Sequence, residues 1–497
     1  MYFDLLKSIA PEAIVALAAF IVLAVDLGIA RKCSTHCRLN VAALLATIGC
    51  LASILWSAGV PARSNVVFQA AVTFPQLTVV LKIVLLLLTI FVAWLSIDSD
   101  FTAHVGELFA LLLFATVAMM FLIASENLLM IFVSLEFLSL CLYTMTAFNK
   151  QSIRSAEAAL KYFLFGGMSA AFLLFGFSYI YGLTGELDLQ GIARELPLLG
   201  ERAGVRAMLG QLDPLLIIAL IMIAVGFGFK IAVVPFHLWA PDTYQGAPGP
   251  VAAFIASGSK VASFFILAKV LGSGFDSATG AAAWRAFTTG WVPLFALLAA
   301  ASVIVGNIAA IAQTSVRRLL AYSAVAHAGY ALIGVLAIGE RGMMPLLYYV
   351  ITYALTVLGA FGIVALVEQR TGHDGFAAFA GLNKRAPLLS FCMLIFMLSL
   401  AGIPPLAGFF GKFYVFAAAL AQGKDLALLW LVILAIAMSA VSLYYYLQVL
   451  KQIYVLPGDT TPIRVSWPTR LTIVLMAAAV VALGLAPSLL LKPLSGE

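Results

Sequence analysis

Apolar residues in this chain do not alternate with polar ones at the period of a strand or a surface helix. They come in runs of about twenty, the length at which a helix crosses a bilayer. Such runs lie near 11–30, 39–59, 77–97, 107–124, 127–147, 156–183, 214–239 and 250–272. They continue near 291–313, 319–338, 344–367, 388–421, 426–454 and 470–491. The pattern predicts an all-α polytopic membrane protein with about 14 spans, the 388–421 run being long enough for a helix broken in two.

Two runs carry a break signal. In Gly226–Pro250, GFGFKIAVVPFHLWAPDTYQGAPGP, Lys230 sits late in an apolar run and Pro235 follows five residues on. A proline has no N–H, so the carbonyl of Ile231 loses its helical partner. Inside lipid, an orphaned carbonyl and a lysine are both costly. The second half echoes this in LSLAGIPPLAGFFGKFYVF. There Pro404 and Pro405 free the carbonyls of Leu400 and Ala401, Gly402, Gly408 and Gly411 loosen the turn, and Lys412 follows. Paired proline-broken helices in corresponding halves mark transporters built from repeats. The chain then divides into three N-terminal helices (1–106), a five-helix block of helices 4–8 (107–272), a second of helices 9–13 (291–454), and a last helix (470–497).

Composition excludes a soluble protein: 64% of residues are apolar and 10% charged, and mean hydropathy is +1.09. No soluble domain of this length needs so little polar surface. The net charge of +6 is small and marks loop cations facing the cytoplasm, not a nucleic-acid footprint. One set of short loops carries Arg31, Lys32, Arg38, Lys150, Arg154, Arg317, Arg318, Arg370, Lys384, Arg385, Arg464 and Arg470. The other set and the termini offer Lys7, Arg63, Arg285, Arg341, Lys424 and Lys492. The asymmetry predicts that both termini face outward. The N-terminus lacks a small-residue cleavage pattern, so the first run reads as a retained helix. Cys33, His36 and Cys37 form either a helix end with reduced thiols or part of a metal site, which would need further ligands. There is no phosphate loop, dense Cys/His set or nucleophile elbow.

Chemistry must therefore lie within the membrane, on the ionisable residues hydropathy would exclude. Glu136 lies at the centre of its run, Lys230 late in its own, Lys260 at the middle of the eighth and Lys412 just past the second break. Each costs about 2.5 kcal/mol or more if charged and facing lipid. They must face the interior, pair, or meet water. Burial favours the neutral form and pairing the charged form, so a glutamate and lysine in reach titrate together. A static tie between helices is the alternative use of such a pair. Lys161 can pair with Glu157 one turn earlier, and Glu107 starts a helix where the dipole favours an acid. Lys82 and Lys269 lie near enough to span ends to snorkel. His237 and His327 either extend a relay or are satisfied interior histidines. The second block has no counterpart of Glu136, and His327 is the nearest polar candidate.

At these residues the chain resembles the antiporter-like membrane subunits of complex I, the proton-pumping NADH:quinone oxidoreductase, and among them the N type. The resemblance spans essentially the whole chain, and KIAVVPFHLWAPDTYQGAP carries it, the WAPD-x-Y-x-GAP form being that of the N type. Lys412 stands where the M type has a glutamate and Lys260 where L and M types usually have a histidine. The long lateral helix of the L type is absent. The resemblance implies two inverted five-helix repeats and discontinuous helices 7 and 12. It implies that Glu136 and Lys230 are the coupled pair of an uptake half-channel, Lys260 the mid-membrane connection, and Lys412 the residue handing protons to a release half-channel. Glu107 and Lys161 match positions whose charge supports turnover. It also implies no redox cofactor in this chain, with FMN, iron–sulfur clusters and quinone in partner subunits. The partners expected are L- and M-type and small membrane subunits in a bacterial inner (plasma) membrane, and no nucleic acid. Two other readings stay open: a subunit of a sodium/proton antiporter or membrane-bound hydrogenase, and a spacer whose buried charges only order helices.

Overall fold

The computed structural model describes residues 9–59, 75–202, 212–283, 286–338, 343–421, 426–459 and 461–495. Lys7, Arg63, Arg285, Arg341 and Lys424 lie outside these ranges.

The apolar runs fold as helices α1 (Ala10–Leu27), α2 (Thr35–Gly59), α3 (Pro75–Leu95), α4 (Val105–Ala124), α5 (Leu128–Thr146) and α6 (Ile153–Thr184). A loop helix, α7 (Leu189–Arg202), precedes α8 (Pro214–Ile231) and the short α9 (Trp239–Gly246). Next come α10 (Gly249–Ala256), α11 (Gly258–Lys269), α12 (Trp291–Ile311), α13 (Val316–Leu336) and α14 (Met344–Thr371). The chain ends with α15 (Leu382–Arg385), α16 (Pro387–Ala401), α17 (Ala407–Ala421), α18 (Leu429–Tyr454), α19 (Trp467–Leu485) and α20 (Ser488–Ser495). Among the described residues, thirteen helical segments are long and apolar enough to cross a membrane, and α16 and α17 are shorter apolar pieces on either side of a break.

Both expected breaks are present. α8 stops at Ile231, where Ala232 adopts a left-handed conformation (φ 58); this costs a residue with a Cβ roughly 1–2 kcal/mol. The Val234 N–H, freed by the turn, donates to Ser302 Oγ of α12 at 2.9 Å. α16 stops at Gly402 (φ 86), where glycine bears no such penalty. The run near 250–272 departs from a single expected helix. It is interrupted at Ser257, whose hydroxyl bonds the carbonyl of Ala253 at 2.7 Å. The Ser257–Gly258 pair is a composition that kinks helices. A two-stranded hairpin, β1 (Ala281–Ala283) with β2 (Ala286–Thr288), joins this segment to α12.

Burial separates two helix types. α10, α11, α13 and α14 are enclosed by protein on nearly every side. α1, α2, α6 and α18 show a broad apolar surface outward. All are apolar around their circumference, so hydropathy alone cannot tell which neighbour covers them.

Successive spans reverse direction, which gathers the connections rich in Lys and Arg at one end of the bundle. Hydrogen bonds tie these connections together: Arg38 to Asp26 at 2.6 and 2.7 Å, Ser466 to Asp98, and Ile463 N–H to the Arg385 carbonyl. We call this the basic end. Here Cys33 and Cys37 are exposed thiols, and His36 Nδ1 meets the Asn40 amide at 2.9 Å.

The snorkelling expected of Lys82 and Lys269 is corrected by the structure. Lys82 Nζ lies 2.6 Å from Glu12 Oε1, both side chains being buried between α1 and α3. Lys269 is fully buried, donates to the Ser125 carbonyl at 3.0 Å and faces Glu126 at 3.6 Å. Both lysines lie so that helix packing covers them before they can reach a surface. Removing one partner of a buried ion pair strands the other charge, a loss of about 3–5 kcal/mol. Lys82→Met and Glu12→Gln should each lower the thermal midpoint of the purified protein in detergent. The double variant should recover most of the loss.

Candidate functional site

The interior face of α8 is buried throughout its last turns, which turns Lys230 inward toward α5. Its Nζ donates to Ser139 Oγ at 2.9 Å. Ser139 stands three residues after Glu136, so the two share one face of α5. Glu136, Ser139, Tyr143, Ser169 and Lys230 line one small cavity between α5, α6 and α8. Glu136 is half-buried and is the carboxylate acting electrostatically on Lys230. No direct ion pair joins the two; Ser139 occupies the ammonium. Gly166 permits the packing, since a Cβ there would lie 1.8 Å from the Tyr143 hydroxyl.

The breaks supply oxygen to the other two lysines. Lys260, buried on α11, donates to the Ile231 carbonyl at 3.2 Å and to the Ala324 carbonyl of α13 at 2.9 Å. The carbonyl freed beside Lys230 is thus taken by a lysine from another helix. Lys412 donates to the Leu400 and Ala401 carbonyls at 3.0 and 3.2 Å and to Ser439 Oγ at 2.8 Å. Those are the two carbonyls that Pro404 and Pro405 leave without helical partners. A helix C-terminus carries roughly half a negative charge, so each ammonium meets a partial counter-charge. Among the described residues, the hydrogen-bond partners of both ammoniums are carbonyls and a serine hydroxyl, not carboxylates.

His327 lies between these lysines on α13: three residues before it the Ala324 carbonyl accepts from Lys260, and three residues after it Tyr330 meets Lys412. Its Nδ1 meets the Tyr349 hydroxyl at 2.7 Å and its Nε2 the Tyr446 hydroxyl at 3.1 Å. Tyr446 continues to Ser323 Oγ at 2.5 Å. The ring of Tyr330 packs edge-on to His327, and its face lies 5.1 Å from Lys412 Nζ. Asn307 donates to the Tyr330 hydroxyl at 3.0 Å and accepts from Tyr445 at 3.0 Å. The sequence reading missed Ser139, Ser439, Asn307 and these tyrosines. Their only signal was polar atoms recurring inside apolar runs, which satisfied core residues also give.

Three expected residues stand apart. Glu107 lies at the basic end, 3.2 Å from His104 Nδ1 and partly exposed. Lys161 is half-exposed and bridges Glu157 at 2.7 Å and Asp242 at 2.8 Å. His237 is buried within the first break, its ring 6.4 Å from that of Tyr322.

Asp242, in the WAPD motif of α9, was not foreseen. One oxygen accepts from Lys161 of α6 and the other from Arg318 Nη1 of α13 at 2.7 Å. Arg317 donates to the Gln245 and Ala247 carbonyls at 2.9 Å and pairs with Glu368 at 2.8 Å. Trp239 stacks on Tyr162 at 4.3 Å and donates to the Phe229 carbonyl. The half-helix after the first break is therefore fastened both to α6 and to α13–α14.

Residues 125–439 match the model of a family described as NADH:quinone oxidoreductase/Mrp antiporter, TM. The chain belongs to that family. It is 51% identical to NADH-quinone oxidoreductase subunit N 2 of Acidobacterium capsulatum, over 99% of this chain and 98% of that protein. A chain in the structure of respiratory complex I from Thermus thermophilus with bound aureothin superposes with a TM-score of 0.77 at 32% identity, covering 97% of this chain and 98% of that one. A chain of the Mrp complex from Dietzia sp. DQ12-45-1b gives a TM-score of 0.80 at 20% identity, covering 99% and 96%. That likeness shows a shared fold alone. Within the family the chain groups with the N subunits of NADH-quinone oxidoreductase.

The arrangement can hold protons and let them go. A lysine ammonium has three N–H donors and no acceptor. Lys260 uses two of them, so it can lose a proton and keep both hydrogen bonds. Lys412 uses all three, so deprotonation requires the Ser439 hydroxyl to turn and donate to the amine.

The fastening at α9 gives a ranked prediction. Asp242→Asn weakens pairs that are about one-third exposed, a loss near 1 kcal/mol. Arg317→Met strands a buried acceptor set as well as Glu368, a loss of about 3 kcal/mol. Thermal denaturation of the purified variants should show the larger drop for Arg317→Met.

Proposed function

We propose that this chain is a proton-translocating membrane-arm subunit of NADH:quinone oxidoreductase. Two half-channels are joined by Glu136, Lys230, Lys260 and Lys412, with His327 between the last two. The observation that carries this reading is the setting of Lys260 and Lys412. Both are buried ammoniums held by carbonyls of interrupted helices instead of by carboxylates. A purely structural lysine would be matched by a full counter-charge, as Lys82 is by Glu12. A lysine held by neutral oxygens can exist in either protonation state, as a relay needs. Lys230, with Ser139 at its head and Glu136 in the same cavity, is the uptake member whose pairing changes with load.

Moving one charge against 100 mV requires about 2.3 kcal/mol, and the energy comes from redox work in partner subunits that carry FMN, iron–sulfur clusters and quinone. L- and M-type subunits and small membrane subunits are the neighbours in the membrane arm. The two repeats are 107–272 and 291–454, flanked by the three N-terminal helices and the last one. The basic end lies in the cytoplasm and both termini in the periplasm, across the bacterial plasma membrane. Identity of 51% to an N subunit, against 20% to the Mrp chain, favours this assembly over an antiporter.

Lys230→Met and Lys412→Met should each slow NADH-driven proton translocation by the reconstituted complex at least tenfold, with assembly intact. Wild-type stoichiometry and rate in Lys230→Met would sink the relay role of Lys230. A spacer predicts instead that Glu136→Gln combined with Lys230→Met restores what either single change loses. Purification in mild detergent should bring down flavin and iron–sulfur subunits; a small all-membrane set would point to an antiporter.

A further inference from the structure

We propose that Tyr330 is a positioning residue for Lys412: its ring face is a further partner of the buried ammonium, and Asn307 fixes the ring there. The inference rests on the reading of Lys412 as a relay member and names what favours its loaded state.

The ring is held on several sides. Tyr330 is buried on α13, and its face lies 5.1 Å from Lys412 Nζ, inside the distance of about 6 Å over which a ring attracts a cation. His327, three residues earlier on the same helix, packs edge-on at 5.6 Å, and Phe416 of α17 does so at 6.2 Å. Phe416 stands four residues after Lys412, so the ring and the ammonium meet on one face of α17. From α12 the Asn307 amide donates to the Tyr330 hydroxyl at 3.0 Å.

Asn307 has no freedom left. Its nitrogen also donates to the Val303 carbonyl at 2.7 Å, and its oxygen accepts from Tyr445 of α18 at 3.0 Å. Both N–H groups and the carbonyl are engaged, which ties α12, α13 and α18 at one point. Glycines next in sequence to the two partners let α12 and α13 come this close. A Cβ at Gly306 would lie 2.5 Å from the Ala326 nitrogen, and one at Gly329 would lie 2.8 Å from the Ala299 oxygen. An amide does not titrate in this range, so its work here is to hold the phenol.

A ring face differs in kind from the other partners of Lys412. Oxygen takes all three N–H groups, whereas the attraction between a cation and a ring quadrupole needs no donor. It vanishes when the amine is neutral. Unlike a carboxylate, the face offers no site that the released proton can occupy. Tyr330 therefore favours the loaded lysine without competing for its proton. The titratable groups around this lysine are His327 on α13 with Lys260 beyond it, Tyr349 and Tyr353 on α14, and Tyr445 and Tyr446 on α18. On α16 and α19 the ionisable side chains are Cys392 and Arg470. None of these is a carboxylate, and a change confined to the ring leaves all of them in place.

The test puts phenylalanine, and then its mono-, di- and trifluorinated forms, at position 330 of the assembled, reconstituted complex. Fluorine keeps the shape of the ring and withdraws electron density from its face. The pH dependence of NADH-driven proton translocation is read for each. A face that favours the charged lysine predicts an alkaline limb that moves stepwise to lower pH with each fluorine, by about one unit over the series. Asn307→Leu should move the limb the same way when Tyr330 is present, and no further in Tyr330→Phe, where the hydroxyl is already gone. A limb unmoved by fluorination, or an equal effect of Asn307→Leu in both backgrounds, overturns the proposal. Should Asn307→Leu fail to assemble, the fluorine series decides alone. If Lys412→Met slows translocation while fluorination moves nothing, the ring-face role falls and the relay stands. If Lys412→Met pumps as the wild type does, the two fall together.

Discussion

An ammonium ion buried in a membrane protein must find oxygen, and here much of that oxygen comes from helices that stop halfway. Taking an ion out of water costs several kcal/mol even after the surroundings relax. Hydrogen bonds to a charged group return about 1.5–3 kcal/mol each. Two carbonyls on Lys260, or two carbonyls and a hydroxyl on Lys412, offset most of that cost without a full counter-charge. The charge is tolerated but not locked in. A carboxylate at the same place would hold the proton far more firmly, as in the Lys82–Glu12 pair.

The two breaks are used differently. In the second, Lys412 turns back onto the carbonyls of its own interrupted segment. In the first, the carbonyl of Ile231 is taken by Lys260, leaving Lys230 to Ser139 and the cavity it shares with Glu136. By the oxygen it receives, Lys260 is the counterpart of Lys412, and Lys230 is an additional group with a partner of its own. Lys260 also bonds α13 through Ala324, so the central lysine touches both halves of the chain. At the basic end Asp242 does the same with a carboxylate, one oxygen to α6 and one to α13. The short helix after the first break is thus held at its far end while its near end carries the strained turn at Ala232.

Some of the site was legible in the residues. Lys230, Lys260, Lys412 and Glu136 stood out because hydropathy prices charge so heavily in an apolar run. The freed carbonyls at Ile231, Leu400 and Ala401 followed from proline's missing N–H. Asp242 was passed over because an acid in a turn-rich motif is unremarkable in one dimension. The tyrosines around His327 were passed over because an apolar helix with a few hydroxyls is as often a satisfied core. Lys82 and Lys269 were misplaced because distance to a span end was used in place of the identity of the packed neighbour.

By itself the sequence determined the membrane class, the approximate spans, the two interruptions and the list of costly charges. These are local properties: run length, a missing donor, a residue too polar for its surroundings. Only the tertiary structure decided which oxygen each ammonium receives, which helices are wrapped by protein, and that His327 lies between Lys260 and Lys412. Helices that are apolar on every face carry no stripe to say which side meets a neighbour. Pairing across them is set by packing among residues far apart in the chain, which no local pattern encodes.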